Sequence, residues 1–458
     1  MCCNILPRVS CLLLWISFAA GDVGYFWHVT DLHYDHTYWT SRLSCLEPVP
    51  KPGKYGDYWC DSPWALVQDS IASMANITAD VDFILWTGDS VAHIADANLT
   101  LNLNLEIVAN ITETLNTSFP QVPVYASLGN HDFYPSNQAD YNQSEIYDQV
   151  SEMWENWISN QTQVEQFRQG GYYVARIAPK LRLLALNTNL YYTNNKLTAN
   201  VSDPAGQMAW LDDQLKDARS KGDKVIVTGH IPPSVLTPGL ADWFYPKHKT
   251  QFVDILLQNS DVIVASLFGH DHSDGFKIIQ DETGSRAVTQ FTAPSVTPWT
   301  FRTASKTADP HNPGIRLVTY DRNTGLHLGY EQYYINLTDS NRNGRTAWTR
   351  LYSFTEAYNV SDMSVASLRK IFSLMASDKG TVYSNKYCTY SVVSNYPINC
   401  TEAARADIYC GGLHYDLQEA QDCKHKYLAS LNGASGLSLN VFVVTGVILV
   451  KISAFILQ

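Results

Sequence analysis

Five short apolar runs in this chain each end in side chains of the kind that bind metal ions, and few folds can use such a series. The first is Tyr25-Phe-Trp-His-Val-Thr-Asp-Leu-His33, closing in Asp31 and His33. Residues i and i+2 of a strand share a face, so this spacing lets a carboxylate and an imidazole meet one ion where the strand ends. Four later runs stop at a glycine and then supply ligands. Asp82-Phe-Ile-Leu-Trp-Thr-Gly-Asp89 ends in Gly-Asp, and the run from Val122 ends in Gly129-Asn-His-Asp132. Lys224-Val-Ile-Val-Thr-Gly-His230 is the fourth, and Asp261 to Gly269-His-Asp-His272 is the fifth. Each glycine permits a tight turn where a side chain would obstruct the backbone.

The intervening segments have helical spacing: 63–77, 101–118, 144–159, 205–221 and 246–258. Tyr172–Ile177 and Leu181–Asn187 read as further strands, as do 287–292, 315–320 and 329–335. Strands alternating with helices predict a layered α/β (α+β) fold. In such sheets ligands gather beyond the carboxyl ends of the strands, where all five motifs fall. The expected organisation is a catalytic domain over 21–339 and a small helical C-terminal subdomain over 340–432. Ser361–Ser377 is amphipathic, and the last four cysteines follow it.

Formal net charge is −12 and no run of Lys or Arg occurs, which argues against a nucleic-acid polymer as partner. Residues 1–20 read as a secretory signal peptide, with the apolar stretch Cys11–Ala20 behind Arg8. Six cysteines then remain, Cys45, Cys60, Cys388, Cys400, Cys410 and Cys423. Three disulfides are expected, and neighbour pairing is the simplest of the possible connectivities. Sequons at Asn76, Asn98, Asn110, Asn116, Asn142, Asn160, Asn200, Asn336, Asn359 and Asn399 predict a glycoprotein. Residues 433–458 follow Asn432 with small residues, a spacer and an apolar terminus, the pattern of a GPI-attachment signal with Asn432 as the attached residue. The alternative is a transmembrane anchor. Either places the chain at the extracellular face of the plasma membrane, against the outer leaflet.

Asp31, His33, Asp89, Asn130, His230, His270 and His272 exceed what one tetrahedral ion needs. They suit two ions sharing a bridge, for which Asp89 is the natural candidate because a carboxylate offers two oxygens. Nitrogen and oxygen ligands without thiolate suit zinc, manganese or iron. A pair of ions suits phosphate esters, since it orients the ester, activates a water and neutralises developing charge.

The ordered D-x-H, GD, GNH, GH and GHxH series resembles that of the calcineurin-like metallophosphoesterases. Phe26-Trp-His-Val-Thr-Asp-Leu-His33, Gly56-Asp-Tyr-Trp-Cys-Asp-Ser-Pro-Trp-Ala-Leu66, Leu186-Asn-Thr-Asn-Leu-Tyr-Tyr192 and Val296-Thr-Pro-Trp299 are similar to the acid sphingomyelinase-like phosphodiesterases. The tail is similar to that of their membrane-anchored, b-type branch. The resemblance implies a four-layer α/β/β/α sandwich with two Zn2+ ions. One would lie on Asp31, His33, Asp89 and His272, the other on Asp89, Asn130, His230 and His270. It also implies catalytic roles for His131 and His93, with Asp132 orienting His131. Ser90 and Ala92 depart from relatives, which often have Asp and Pro there. Ala92 also stands where purple acid phosphatases place a tyrosine ligand, which argues against their iron site.

The expected function is therefore an extracellular zinc phosphodiesterase, expected to be a monomer. It would cleave phosphodiester or pyrophosphate bonds of small substrates such as nucleotides and phosphocholine compounds, through metal-activated water. The alternatives are a sphingomyelin phosphodiesterase acting on membrane lipid, or a cell-surface lipid-modulating or signalling glycoprotein with little turnover.

Overall fold

Phe83–Trp86 is an uninterrupted apolar run with all four residues buried, as a strand covered on both faces requires. In the computed structural model it forms β2, which pairs in parallel with β1 (Val23–Val29) and β3 (Val124–Ala126). The structure describes residues 22–158, 160–299, 311–377 and 380–433. It also describes the backbone of two minimal strand pairs, β10 (Arg302–Thr303) with β11 (Lys306–Thr307) and β15 (Val443–Val444) with β16 (Val447–Ile448). The expected signal peptide at 1–20 and most of the expected anchor at 433–458 lie outside the described residues, as does the side chain of Asn432.

The first sheet continues antiparallel from β1 through β12 (Gly314–Asp321) and β13 (His327–Tyr334) to β14 (Thr349–Ser353). The second has the order β4 (Tyr173–Ala178), β5 (Leu181–Ala185), β6 (Lys224–Thr228), β7 (Ile263–Phe268), β9 (Ala287–Thr292), β8 (Gly275–Gln280). Its centre is parallel and its two edges are antiparallel. Helices α1 (Trp64–Ile77) and α2 (Leu101–Ser118) serve the first sheet; α6 (Gln207–Lys221) and α7 (Pro246–Gln258) serve the second. Their buried faces and both sheets form one continuous apolar core, giving the expected four-layer α/β/β/α arrangement.

Two expectations change, and one strand was not foreseen. The segment 144–159 is not one helix: α3 (Glu145–Met153) stops at Trp154, and α4 (Glu155–Ile158) and α5 (Gln161–Gly170) follow. Trp154 leaves helical geometry, and its indole is buried against Trp86, with Nε1 donating to Thr112 Oγ1 at 3.0 Å. Packing of one large ring outweighs helical continuity here. Strand β8 is concealed in sequence by the buried Lys277 in its middle. The helical C-terminal region also begins later than 340, because α8 (Leu337–Asn343) is followed by β14, an edge strand of the first sheet. Beyond it come α9 (Phe354–Tyr358), α10 (Val365–Met375), α11 (Gly380–Ser391), α12 (Glu402–Leu413) and α13 (Leu417–Gly433). The disulfides are the neighbour pairs 45–60, 388–400 and 410–423. All ten sequon asparagines lie exposed or half-buried.

The sheets are tied together by a buried ion pair. Arg316 of β12 meets Asp274, just before β8; Tyr330 and Tyr352 also donate to that carboxylate, and the guanidinium lies 3.9 Å over the Tyr330 ring. Removing one partner strands a buried charge, so Arg316→Met is expected to cost ~3–5 kcal/mol in chemical denaturation, much of it recovered in Asp274→Leu/Arg316→Met.

Candidate metal centre

The carboxyl ends of β1, β2, β3, β6 and β7 each deliver their motif to one place between the sheets. Of the seven candidate ligands, Asp31, His33, Asp89, His270 and His272 have positive φ, between 42° and 68°. Non-glycine residues rarely adopt that region, and when they do at several neighbouring positions the surrounding structure must hold them there. In this conformation the chain reverses immediately after the strand and the side chain turns across its end. Two glycines are required for the close approach. A Cβ on Gly129 would collide with the Asp89 carboxylate, and one on Gly269 with Thr30 and Asp31.

All seven candidate ligands are buried. His33 donates from Nδ1 to Val91 O at 2.7 Å, so its Nε2 presents a lone pair. That Nε2 lies 3.1 Å from His272 Nε2 and 3.3 Å from Asp89 Oδ2. Asp31 Oδ1 is 3.5 Å from His272 Nε2 and 3.7 Å from His33 Nε2, and it has no hydrogen-bond partner. The other oxygen, Oδ2, accepts from Thr30 Oγ1 and the His270 backbone N–H. This gives a first group of Asp31, His33, Asp89 and His272.

The second group has the same construction. His230 donates from Nδ1 to Thr87 O at 2.7 Å and aims Nε2 at Asn130 Oδ1 (2.9 Å), Asp89 Oδ2 (3.1 Å) and His270 Nδ1 (3.3 Å). Asp89 Oδ2 therefore faces imidazoles of both groups, while Oδ1 accepts from the His131 backbone N–H at 2.8 Å. Lone pairs that face each other without a hydrogen between them need a cation. The donor set fits divalent cations, with Asp89 common to both groups.

In the cation-free protein, protons take the ions' place. Burial favours neutral His230, but the Asp89 carboxylate outweighs it and lifts the imidazole to about 9. Burial likewise favours protonated Asp89, and the facing His230 and His33 hold it well below the carboxylate range.

His131 and His93 both border the first group. The His93 ring centroid is 4.2 Å from that of His33 and 4.3 Å from that of His131, and the ring stacks on Trp299 at 3.9 Å. Its orientation is fixed by Asp61, a residue not anticipated from sequence. His93 Nδ1 and backbone N lie 3.0 and 2.7 Å from Asp61 Oδ2, and Thr297 donates to Oδ1 at 3.0 Å. Burial raises Asp61 to about 7. Its sequence signals were its place beside the disulfide residue Cys60 and within the Gly56–Leu66 stretch.

Asp132 does not orient His131. Its carboxylate accepts from the backbone N–H groups of Asp89, Ser90 and Gly129, at 3.2, 2.7 and 2.7 Å, and ties two ligand turns together. Those turns leave N–H groups without strand partners, and a buried carboxylate satisfies three of them. Of the aromatic residues considered for a cleft, Tyr192 and Trp299 reach the centre, whereas Tyr191 is buried beneath it with its hydroxyl on Gln207. Trp243, not anticipated, sets its ring edge-on to His270 at 4.5 Å and donates to Asp271 at 2.8 Å.

Residues 24–274 match the family model for calcineurin-like phosphoesterase, and residues 285–430 match that for the acid sphingomyelin phosphodiesterase C-terminal region. The chain is 37% identical over 430 residues to acid sphingomyelinase-like phosphodiesterase 3b of Homo sapiens, covering 90% of this chain and 94% of that protein. It is 33% identical over 426 residues to cyclic GMP-AMP phosphodiesterase SMPDL3A of Rattus norvegicus, covering 90% and 94%. It is 31% identical over 417 residues to sphingomyelinase phosphodiesterase C of Dictyostelium discoideum, covering 87% and 92%.

Cation uptake must displace the proton on His230, which is held at about 9. Apparent affinity is therefore expected to rise with pH toward 9, by up to about tenfold per unit for each displaced proton, and to collapse in acid. Calorimetric titration of the metal-free protein with Zn2+, in buffers of different ionisation enthalpy, measures the protons released; a pH-independent affinity would contradict this account.

Proposed function

Since the chain belongs to the acid sphingomyelinase-like phosphodiesterases of the calcineurin-like phosphoesterase family and is a phosphodiester hydrolase, we propose that it is a binuclear zinc enzyme cleaving small phosphodiesters outside the cell. The observation that carries the reading is the shared position of Asp89 Oδ2, within 3.3 Å of His33 Nε2 and 3.1 Å of His230 Nε2. Asp31, His33, Asp89 and His272 would hold one ion, and Asp89, Asn130, His230 and His270 the other. When bound, such a pair supplies an activated water and compensates charge on the phosphoryl oxygens.

The protein's own groups do the rest. The hydrogen bond between His93 Nδ1 and Asp61 fixes the ring, and Nε2 is assigned as its proton-transfer atom. His131 is placed beside the bridging carboxylate by its backbone bond to Asp89, and its Nδ1 is buried without a partner. One of the two delivers a proton to the departing oxygen while the other stabilises the crowded phosphoryl group. Trp243, Tyr192 and Trp299 offer flat, electron-rich walls beside the centre, suited to a nucleobase or a quaternary ammonium. This supports nucleotides and phosphocholine esters as substrates. The apolar tail and the accessible sequons support a glycosylated protein tethered at the outer leaflet.

Metal analysis of the secreted protein is expected to give two zinc per chain. Asp89→Ala should lose both metal and activity. His131→Ala should retain metal yet lose ~10²–10⁴-fold in turnover of bis-p-nitrophenyl phosphate. Undiminished turnover in His131→Ala, or a metal-free wild type of full activity, would overturn the proposal.

A further inference from the structure

Asn130 differs from the other candidate ligands in having two unlike ends. Its carboxamide offers an oxygen on one side and an NH2 group on the other, and only the oxygen can accept a cation. Oδ1 faces inward, 2.9 Å from His230 Nε2. Once His230 has given up its Nε2 proton, as cation uptake requires, that nitrogen has no hydrogen to give, because Nδ1 donates to Thr87 O. Nothing in the contact between Oδ1 and Nε2 prevents the amide from turning over and donating its NH2 instead, which would satisfy Nε2 and close the ligand position.

The turned-in state is selected from the other side. Asn130 Nδ2 donates to Asn137 Oδ1 at 2.9 Å, and the Asn137 backbone N–H donates to Asn130 O at 2.8 Å. Asn137 thus grips its partner at both backbone and side chain. It adopts φ of 71°, a region that Asn, Asp and Gly enter most readily. Its loop is fixed independently, by the Ser136 backbone N–H to Asp96 (2.9 Å) and by Gln138 Nε2 to Asn194 O (2.9 Å).

We infer that Asn137 is a positioning residue, whose carbonyl oxygen holds the Asn130 amide with its oxygen toward a divalent cation. The inference rests on the two-ion reading above. It also explains why a loop residue seven positions after Asn130 folds back to it rather than turning to solvent.

The test titrates metal-free secreted protein with Zn2+ against a chromophoric chelator. Asn137→Gly keeps the left-handed backbone and deletes the acceptor; affinity at the weaker ion is expected to fall ~10–100-fold, the usual cost of losing an outer ligand support. Asn137→Asp restores the acceptor and should recover most of that loss. In an Asn130→Asp background the ligand has an oxygen whichever way it turns, so adding Asn137→Gly should change nothing further. An unchanged affinity in Asn137→Gly overturns the inference. So does an equal loss in the Asn130→Asp background, which would mark Asn137 as merely structural. Should Asn137→Gly fail to fold, Asn137→Ser is read against Asn137→Asp by the same criteria. If the wild type takes up fewer than two Zn2+, the two-ion reading itself fails.

Discussion

The Nε2 atoms of His33 and His272 lie 3.1 Å apart in the interior, and this contact sets the terms for the rest of the site. A backbone carbonyl already takes the Nδ1 hydrogen of His33. Its inner nitrogen therefore presents unshared electrons to a neighbour that does the same. Burial removes the water that would screen them, so the arrangement is stable only around positive charge. The same reasoning applies to His230 and Asn130. The fold thus builds a place for cations before any cation arrives. It does so with five residues in the left-handed region, each locally unfavourable. The two sheets supply the compensation: strands buried on both faces, joined by the Arg316–Asp274 pair, keep the turns from relaxing.

Charge explains why cations and not basic side chains carry the chemistry. The chain is strongly acidic, and the groups gathered at the centre are carboxylates, amides and imidazoles. Such a site repels a phosphodiester until ions are bound. Metal loading and substrate binding are therefore one electrostatic problem, and the groups that orient ligands act on substrate affinity as well as on metal affinity.

The convergence of the seven candidate ligands was legible in sequence because each follows directly from a strand whose apolar run ends beside it. Motif and position are then local facts, and alternation of strands with helices brings the ends together. Asp61, Trp243 and Asn137 were not legible. Asp61 meets His93 across 32 residues, and Trp243 meets Asp271 across 28. Asn137 is near Asn130 in sequence, yet its role depends on which end of an amide points inward. Asp132 shows the opposite error. Adjacency to His131 suggested a partnership, but a carboxylate buried among three unsatisfied N–H groups turns to them first. The unbroken helix expected over 144–159 failed for a related reason, since Trp154 gains more from the core than from continuing the turn.

Supporting residues of this kind decide how much freedom the centre has. Asp132 binds the β2 turn to the β3 turn, and Asn137 fixes the amide that the β3 turn presents. Asp61 fixes His93 from the far side, through a loop closed by the Cys45–Cys60 disulfide. Each acts by hydrogen bonds made at the rear of a group whose front faces the reacting space. The ligand positions are thereby determined by the folded protein and not by the ion, so metal binding has little conformational entropy left to oppose it. A preorganised centre can then present bound metal to a substrate in a fixed place, and a phosphodiester held there gains orientation at no further cost of reorganisation.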